Sequence, residues 1–245
     1  MEIANLLAPP QRDDAVTRRE TLTFSPYSAG NLSRGDEIRI AIQNQSAFNH
    51  IHESYLYIEG KITTLNNATN NRITMVKNWL MHLFDEIKIE LSGKNLDSIK
   101  NPGVATTLHH LVSMSKNEQE QASEFAWQDN LTLGLNESFS YSYALKKLLP
   151  VARDYKRLMI FSKLELVLVR SRTDVNCVVG QATTNVAITL SKVQWKVPNV
   201  DLQDPLKLRL LKVLENGKTI PIAFRQIELL EYPFLPARNT SVNWN

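Results

Sequence analysis

A single cysteine, Cys177, stands in a chain of 245 residues. No disulfide can form within the molecule, and the fold does not depend on an oxidising compartment. A dominant charge of one sign is also missing, since 28 basic residues against 25 acidic ones leave a formal charge of +3. The nearest approach to a basic cluster is Arg18-Arg19, where a nucleic-acid groove would need many cations with interleaved aromatics. No segment reaches the roughly 18 apolar residues of a membrane span. The amino terminus MEIANLLAPPQRDD lacks the cationic start and apolar run of a signal peptide. The expectation is a chain made in the cytosol without a membrane span.

The constellations that carry catalysis are absent or imitated. Gly217-Lys218-Thr219 resembles the end of a phosphate-binding loop, but Lys212 stands where the first glycine is required. His50-x-His52-Glu53 has no further ligand pair at metal-site spacing, and His109-His110 are neighbours that diverge on a helix. Cys177, within DVNCVVG, reads as a buried inert thiol, and no G-x-S-x-G elbow occurs. The adjacent carboxylates Asp85-Glu86 point apart as a solvated pair, and Arg34-Gly35-Asp36 reads as a turn before a strand. No catalytic residue, metal or cofactor is expected.

What the chain does have is alternation. Residues 83–99 read LFDEIKIELSGKNLDSI: Ile87, Ile89 and Leu91 alternate with Lys88 and Glu90, Ser92-Gly93-Lys94-Asn95 supplies a turn, and Leu96 begins the return. Just before it, Leu80, Leu83 and Phe84 fall at helical spacing, predicting about two turns of helix capped by Asn78. Alternation also marks strands at 20–25, 37–43, 55–62, 139–145, 163–170 and 185–197, the last with a bulge between Leu190 and Val193. A helix is predicted from Pro102, capped by Asn101, with Val104, Leu108, Leu111 and Val112 as its core face. Residues 116–136 read as a long surface excursion. Phe125 and Trp127 within it either make contacts to partners or tuck back onto the sheets. LKKLLPVARDYKRLMI is a compact helical link broken at Pro150. A last helix, capped by Asp204 and ended by Gly217, presents Leu206, Leu210, Val213 and Leu214. Beyond it, 220–233 reads as β again.

About eight strand segments with few helices describe an all-β, antiparallel, eight-stranded jelly-roll sandwich. It is followed by a linker helix and the start of a second roll. The expected units are an arm (1–18), a first jelly roll (19–200), a connecting helix (201–218) and an incomplete second roll (219–245).

The succession GDEIRIAIQNQ, ESYLYIEGKI, LFDEIKIELSGKNLDSIKNPGVATTL, LPVARDYKRLMIFSKLELVLVRS, VQWKVPNVDL and LKLRLLKVLENGKTIPIAFRQIELLEYPFLP resembles the amino-terminal half of a capsid family. That family is the double jelly-roll major capsid proteins of Polinton-like and adintovirus-like double-stranded DNA elements, grouped with adenovirus and tailless-phage capsid proteins. The resemblance runs from about Glu20 to the end and rests on the order of the pieces. It implies a structural protein of the virion. Such a protein forms trimers with copies of itself, with a pseudo-hexagonal footprint, and tiles an icosahedral shell around double-stranded DNA. Other capsid proteins would be partners, and packaged DNA would be touched only non-specifically. Residues assigned to assembly contacts are Arg18, Arg19, Phe125, Trp127, Asp154, Tyr155, Lys156 and Trp244. Two other readings fit a roll of this size: a single jelly-roll vertex (penton) protein, and a carbohydrate-binding module using Tyr55, Tyr57 and Trp127 as platforms.

Overall fold

The computed structural model describes residues 15–27, 32–42, 48–64, 72–120, 125–134, 136–160, 163–179 and 186–231. Its strands in chain order are β1 (Val16–Phe24), β2 (Glu37–Ile42), β3 (Phe48–Asn49), β4 (Tyr55–Thr64), β5 (Arg72–Thr74), β6 (Phe84–Leu91), β7 (Lys94–Lys100), β8 (Thr132–Gly134), β9 (Ser138–Ala144), β10 (Leu164–Arg170) and β11 (Val186–Leu202). The helices are α1 (Pro102–Ser113), α2 (Lys116–Glu120), α3 (Leu145–Leu148), α4 (Pro150–Asp154) and α5 (Asp204–Glu215). No helix among the described residues is long and apolar enough to cross a membrane.

Two antiparallel sheets face one another. One runs β1-β11-β4-β9 and the other β2-β10-β6-β7, with β3 beside β11 and a separate β5-β8 pair. Taken in chain order, the eight long strands cross from one sheet to the other at every step except the β6–β7 hairpin, the double Greek-key winding of a jelly roll. Strand alternation supplies the core. Ile38, Ile40 and Ile42 of β2, Ile87 and Ile89 of β6, and Leu164, Leu166 and Leu168 of β10 all point inward from the second sheet. They meet Leu56, Ile58 and Ile62 of β4 and Val193, Trp195 and Val197 of β11. The register shift between Leu190 and Lys192 is the expected bulge. Side chains repeat every two residues, so one extra residue is needed to keep both Val186-Ile188-Leu190 and Val193-Trp195-Val197 on the core face.

The β6–β7 hairpin closes through Ser92 and Gly93, with φ of 50° and 79°. Two successive positive φ values give the turn the twist that antiparallel strands need. It is tighter than the four-residue turn expected, because Lys94 already pairs with Leu91.

Five local expectations are corrected. Residues 79–83 form a 3₁₀ turn, not two α-turns, and Trp79, Leu80, Met81 and Leu83 are all buried. Asn78 does not cap it; its φ is 60°, and its Nδ2 donates instead to Thr106 Oγ1 at 2.8 Å and Thr107 Oγ1 at 3.0 Å. Asn101 makes no capping bond either, and Asp204 lies inside its helix with Gln203 at the cap position. Finally, 218–231 contains no strand. A strand needs a partner's ladder, and the segment finds none among the described residues. It packs Ile222, Phe224 and Leu229 against the sandwich core instead. At the other end β1 begins at Val16, because β11 runs on to Leu202 and offers it a backbone partner.

Candidate assembly surface

α1 is built inside out. Its twelve residues, PGVATTLHHLVS, include no Asp, Glu, Lys or Arg. The side chains at i, i+4, i+7 and i+8 were expected to face the core. The structure turns them to solvent, with Val104 39%, Leu108 54%, Leu111 51% and Val112 91% exposed. The inward face is Pro102, Gly103, Ala105, Thr106 and His110. Small residues explain the orientation: Gly103 lies so near the His82 ring that an added Cβ would sit 2.4 Å from it. Thr106 Oγ1 accepts from Asn78, and the His110 Nε2–H donates to the Lys147 carbonyl at 2.9 Å. Periodicity identified the apolar stripe but not which side of the helix the chain itself would cover.

The segment after α5 crosses the same flank. Gly217, at φ 65°, ends the helix. The chain then reaches α4, where Arg225 grips Asp154: its backbone N–H and Nε reach Oδ2 at 3.1 and 3.0 Å, and Nη2 reaches Oδ1 at 3.0 Å. Arg153 Nε adds a contact at 3.2 Å. The Arg225 bonds, followed in weight by Arg153, hold the Asp154 carboxyl well below the usual carboxylate range. Ile227 sits beside Ile99, Ala105 and Pro150. Glu231 then accepts from Asn101 Nδ2 at 2.7 Å, at the first turn of α1. Residues 218–231 therefore form a strap from α5 past α4 to the start of the exposed stripe.

The residues assigned to contacts fall in different places. Arg18 and Arg19 are exposed on β1, pairing with Glu20 and Glu53. Trp127 is turned inward, 3% exposed, packing with Met114 and Phe125, and Lys77 Nζ lies 5.1 Å from its ring centre. Its ring is neither an exposed contact nor a sugar platform. Phe125 is half-buried, 5.2 Å from the Tyr143 ring. Tyr155 is buried, because its ring completes the core beneath α4. Lys156 is exposed, and Trp244 lies outside the described residues. Of the eight, Asp154 alone is shown at the strap. The other two proposed platforms, Tyr55 and Tyr57, share Lys196, whose Nζ is 4.5 Å from the Tyr57 ring centre.

The imitated chemistries resolve into structure. His50 and His52 each spend a ring nitrogen on a backbone carbonyl, of Lys156 and Ala152 respectively. Among the described residues no three His, Cys, Asp or Glu side chains are grouped to hold a metal. Cys177 has no exposure, and burial pushes its thiol up, away from the reactive thiolate. In the Arg34-Gly35-Asp36 turn, Arg34 Nε donates to Asp174 at 2.8 Å and Asp36 Oδ2 accepts the Ser33 N–H at 2.9 Å. Burial, the largest effect on His110, lowers its pKa to about 4, so the ring is neutral against Trp127.

Sequence reasoning missed the strap, because its spacing imitates a strand. It also missed the buried Arg170–Asp174 pair, whose one signal is an arginine ending the apolar strand LELVLVR with an acid four residues on.

A family model described as the double jelly roll-like domain matches residues 73–245. No curated protein matches the sequence. Among solved structures, the chain shares its fold with the Faustovirus major capsid protein, with a TM-score of 0.56 at 10% identity over 85% of this chain and 58% of that one. It is similarly related to a chain of the PBCV-1 virus capsid, with a TM-score of 0.50 at 12% identity over 83% of this chain and 46% of that one. The chain thus spans about half the length of the structures it matches.

Proposed function

The chain belongs to the double jelly roll-like domain family, and from that membership we propose that it is a building block of a viral capsid whose work is assembly with copies of itself. The observation that carries the reading is the winding of its sheets, β1-β11-β4-β9 against β2-β10-β6-β7, in a chain whose family match extends through the helix and strap beyond the roll. In this reading residues 19–200 are one roll and 201–218 connect it to the start of another at 219–245. Trimers with a pseudo-hexagonal footprint tile an icosahedral shell around double-stranded DNA, in the lineage of Polinton-like and adintovirus-like elements. No bond is made or broken. The driving force is burial of apolar surface across contacts of about 800 Å² per partner.

The test is to sediment native source extract through a density gradient and locate the chain by peptide mass spectrometry. Recovery in a DNA-containing, megadalton fraction is expected. Recovery only as a small soluble species overturns the reading.

A further inference from the structure

The two facing sheets have four edge strands, and three of them are guarded. β1 carries Arg18, Arg19 and Glu20, β2 carries Glu37 and Arg39, and β7 exposes Lys94 and Lys100. Such charges keep an open row of backbone groups from pairing with another chain. β9, the remaining edge, reads SFSYSYA, with no charge, proline or glycine, and its ladder with β4 runs from Ser138 to Ala144 without a bulge. Among the described residues no other backbone bonds to 138–144. The ends of the ladder fix which groups are free. The Glu137 carbonyl accepts the Ile62 N–H at 3.1 Å, and the Leu145 N–H donates to the Ser54 carbonyl at 2.9 Å. Successive residues of a strand turn their backbone groups to opposite sides, so the odd-numbered residues of β9 face β4. Ser138, Ser140, Ser142 and Ala144 therefore present their N–H and C=O groups to the open side.

We propose that β9 pairs antiparallel with β9 of a second copy, about a two-fold axis at Tyr141, so that one sheet runs through both copies. The inference rests on the capsid reading and names one contact through which copies meet. What selects a second copy is that the strand is its own complement. With Tyr141 opposite its mate, Ser140 falls opposite Ser142 and Ser138 opposite Ala144. All four open residues of each copy then find donors and acceptors, about eight hydrogen bonds in all. The same register sets Phe139 opposite Tyr143 and keeps both on the core face, since side chains repeat every two residues. Aromatic pairs and hydroxyl pairs directly opposed across strands are favourable, and no charged residue lies on the seam to oppose another. Beyond its ends stand exposed Glu137 and exposed Lys146, and antiparallel pairing brings Glu137 of each copy to the Lys146 end of the other. Lys147 is already paired with Glu118, and Lys61 stands one strand further back, on β4. The same patch on both sides makes the contact isologous, so it closes at a dimer and supplies a two-fold between capsomers.

The experiment is sedimentation velocity of the 245-residue chain over a concentration series. Ser140→Lys sets like charges across the seam, and Ser142→Pro removes one outward N–H while leaving the β4 ladder intact. Val179→Lys, at an exposed site away from β9, is the control. Thermal melts confirm that each is folded, and if Ser142→Pro does not fold, Ser140→Lys decides. The wild type and control should dimerise, and the seam variants should weaken dimerisation by more than about tenfold. Mild oxidation and non-reducing electrophoresis read the register. Ser140→Cys mixed with Ser142→Cys should cross-link, because directly opposed residues about 5.5 Å apart suit a disulfide, and neither variant alone should match the mixture. Cys177 is buried and takes no part. Three results overturn the proposal: a wild type that stays monomeric at every concentration, as when the chain itself covers the edge, dimerisation unchanged in Ser140→Lys, or cross-linking in the mixture no greater than in the single variants. The capsid reading fails separately, by absence of the chain from particles.

Discussion

Arg170 and Asp174 form an ion pair in which neither side chain has any exposure, with Nη2 2.7 Å from Oδ1. Arg170 also donates to the Leu83 carbonyl at 2.7 Å and the Ile188 carbonyl at 3.1 Å, while Asp174 accepts the Ile188 N–H and Arg34 Nε, each at 2.8 Å. The pair therefore ties the end of β10 to the 79–83 turn and the start of β11, bridging the two sheets. Asp174→Ala leaves a buried cation without its partner and should cost about 3–5 kcal/mol. Urea unfolding checks this, and Arg170→Met combined with Asp174→Leu should cost less than the two single changes added together.

Gly60 sits under the Phe139 ring in the β4–β9 pair. A Cβ there would lie 2.5 Å from Phe139 Cζ and 2.6 Å from the Thr189 carbonyl oxygen. The ring can swing aside, but the carbonyl belongs to the neighbouring strand β11 and cannot. Gly60→Ala should destabilise the roll by about 1–3 kcal/mol. At about 2–4 °C per kcal/mol for a domain of this size, the loss is readable as a lowered Tm.

Where backbone period and burial agree, the sequence was readable. Both core faces of β11 and the hairpin from Phe84 to Lys100 follow from alternation alone, because a strand buried on one face must repeat every two residues. The face expected of α5 was legible in part: Leu206 and Leu210 pack half-buried over Phe48, Val200 and Leu202, while no residue of that helix is fully buried. Caps were not. Asn78 and Asn101 are asparagines in left-handed conformations, whose side chains bond to distant elements, a choice made by tertiary packing. The outward turn of α1 was hidden for a related reason: Gly103, Ala105 and Thr106 let the helix approach closely through small residues. The strap looked like a strand because Ile222, Phe224 and Leu229 are spaced to bury one side, which an unpaired segment also needs when it lies across a core.

Acid should loosen the fold before carboxylates are reached. His110 is buried against Trp127 with His109, Lys147 and Arg153 nearby, and its pKa is lowered to about 4. Burial also lowers His50, His82 and His109. A group whose folded pKa lies below its unfolded value stabilises fully above the unfolded value, here about 6.5, and loses that contribution as pH falls. For His110 the loss between pH 6.5 and 4 amounts to up to about 3 kcal/mol. Asp97 opposes this at lower pH, since burial raises its pKa and its protonation relieves a cost. Stability measured from pH 7 to 5 should therefore decline, and His110→Gln should flatten the decline by removing the largest single contribution.

The strap is held at its middle by an ion pair that solvent reaches from one side: the Arg225 side chain is 81% exposed and that of Asp154 16%. An exposed pair contributes about 1 kcal/mol or less to global stability, so Arg225→Ala should leave the urea midpoint nearly unchanged. Its effect should be local. With the guanidinium gone, Ile222, Phe224 and Leu229 hold the segment by partial burial, and of the three hydrogen bonds to Asp154 only the one from the residue 225 backbone N–H remains to be broken on opening. Hydrogen exchange over 222–229 should accelerate in Arg225→Ala and in Asp154→Asn, and raised salt should speed it in the wild type. The combined change should accelerate exchange by less than the two single changes added together, since both remove the guanidinium–carboxylate bonds. The Asp154 carboxyl is held below the usual range, so the strap should stay protected in acid that already weakens the histidine-lined side of α1. Equal acceleration throughout the roll would instead mean that strap and sandwich unfold as one unit.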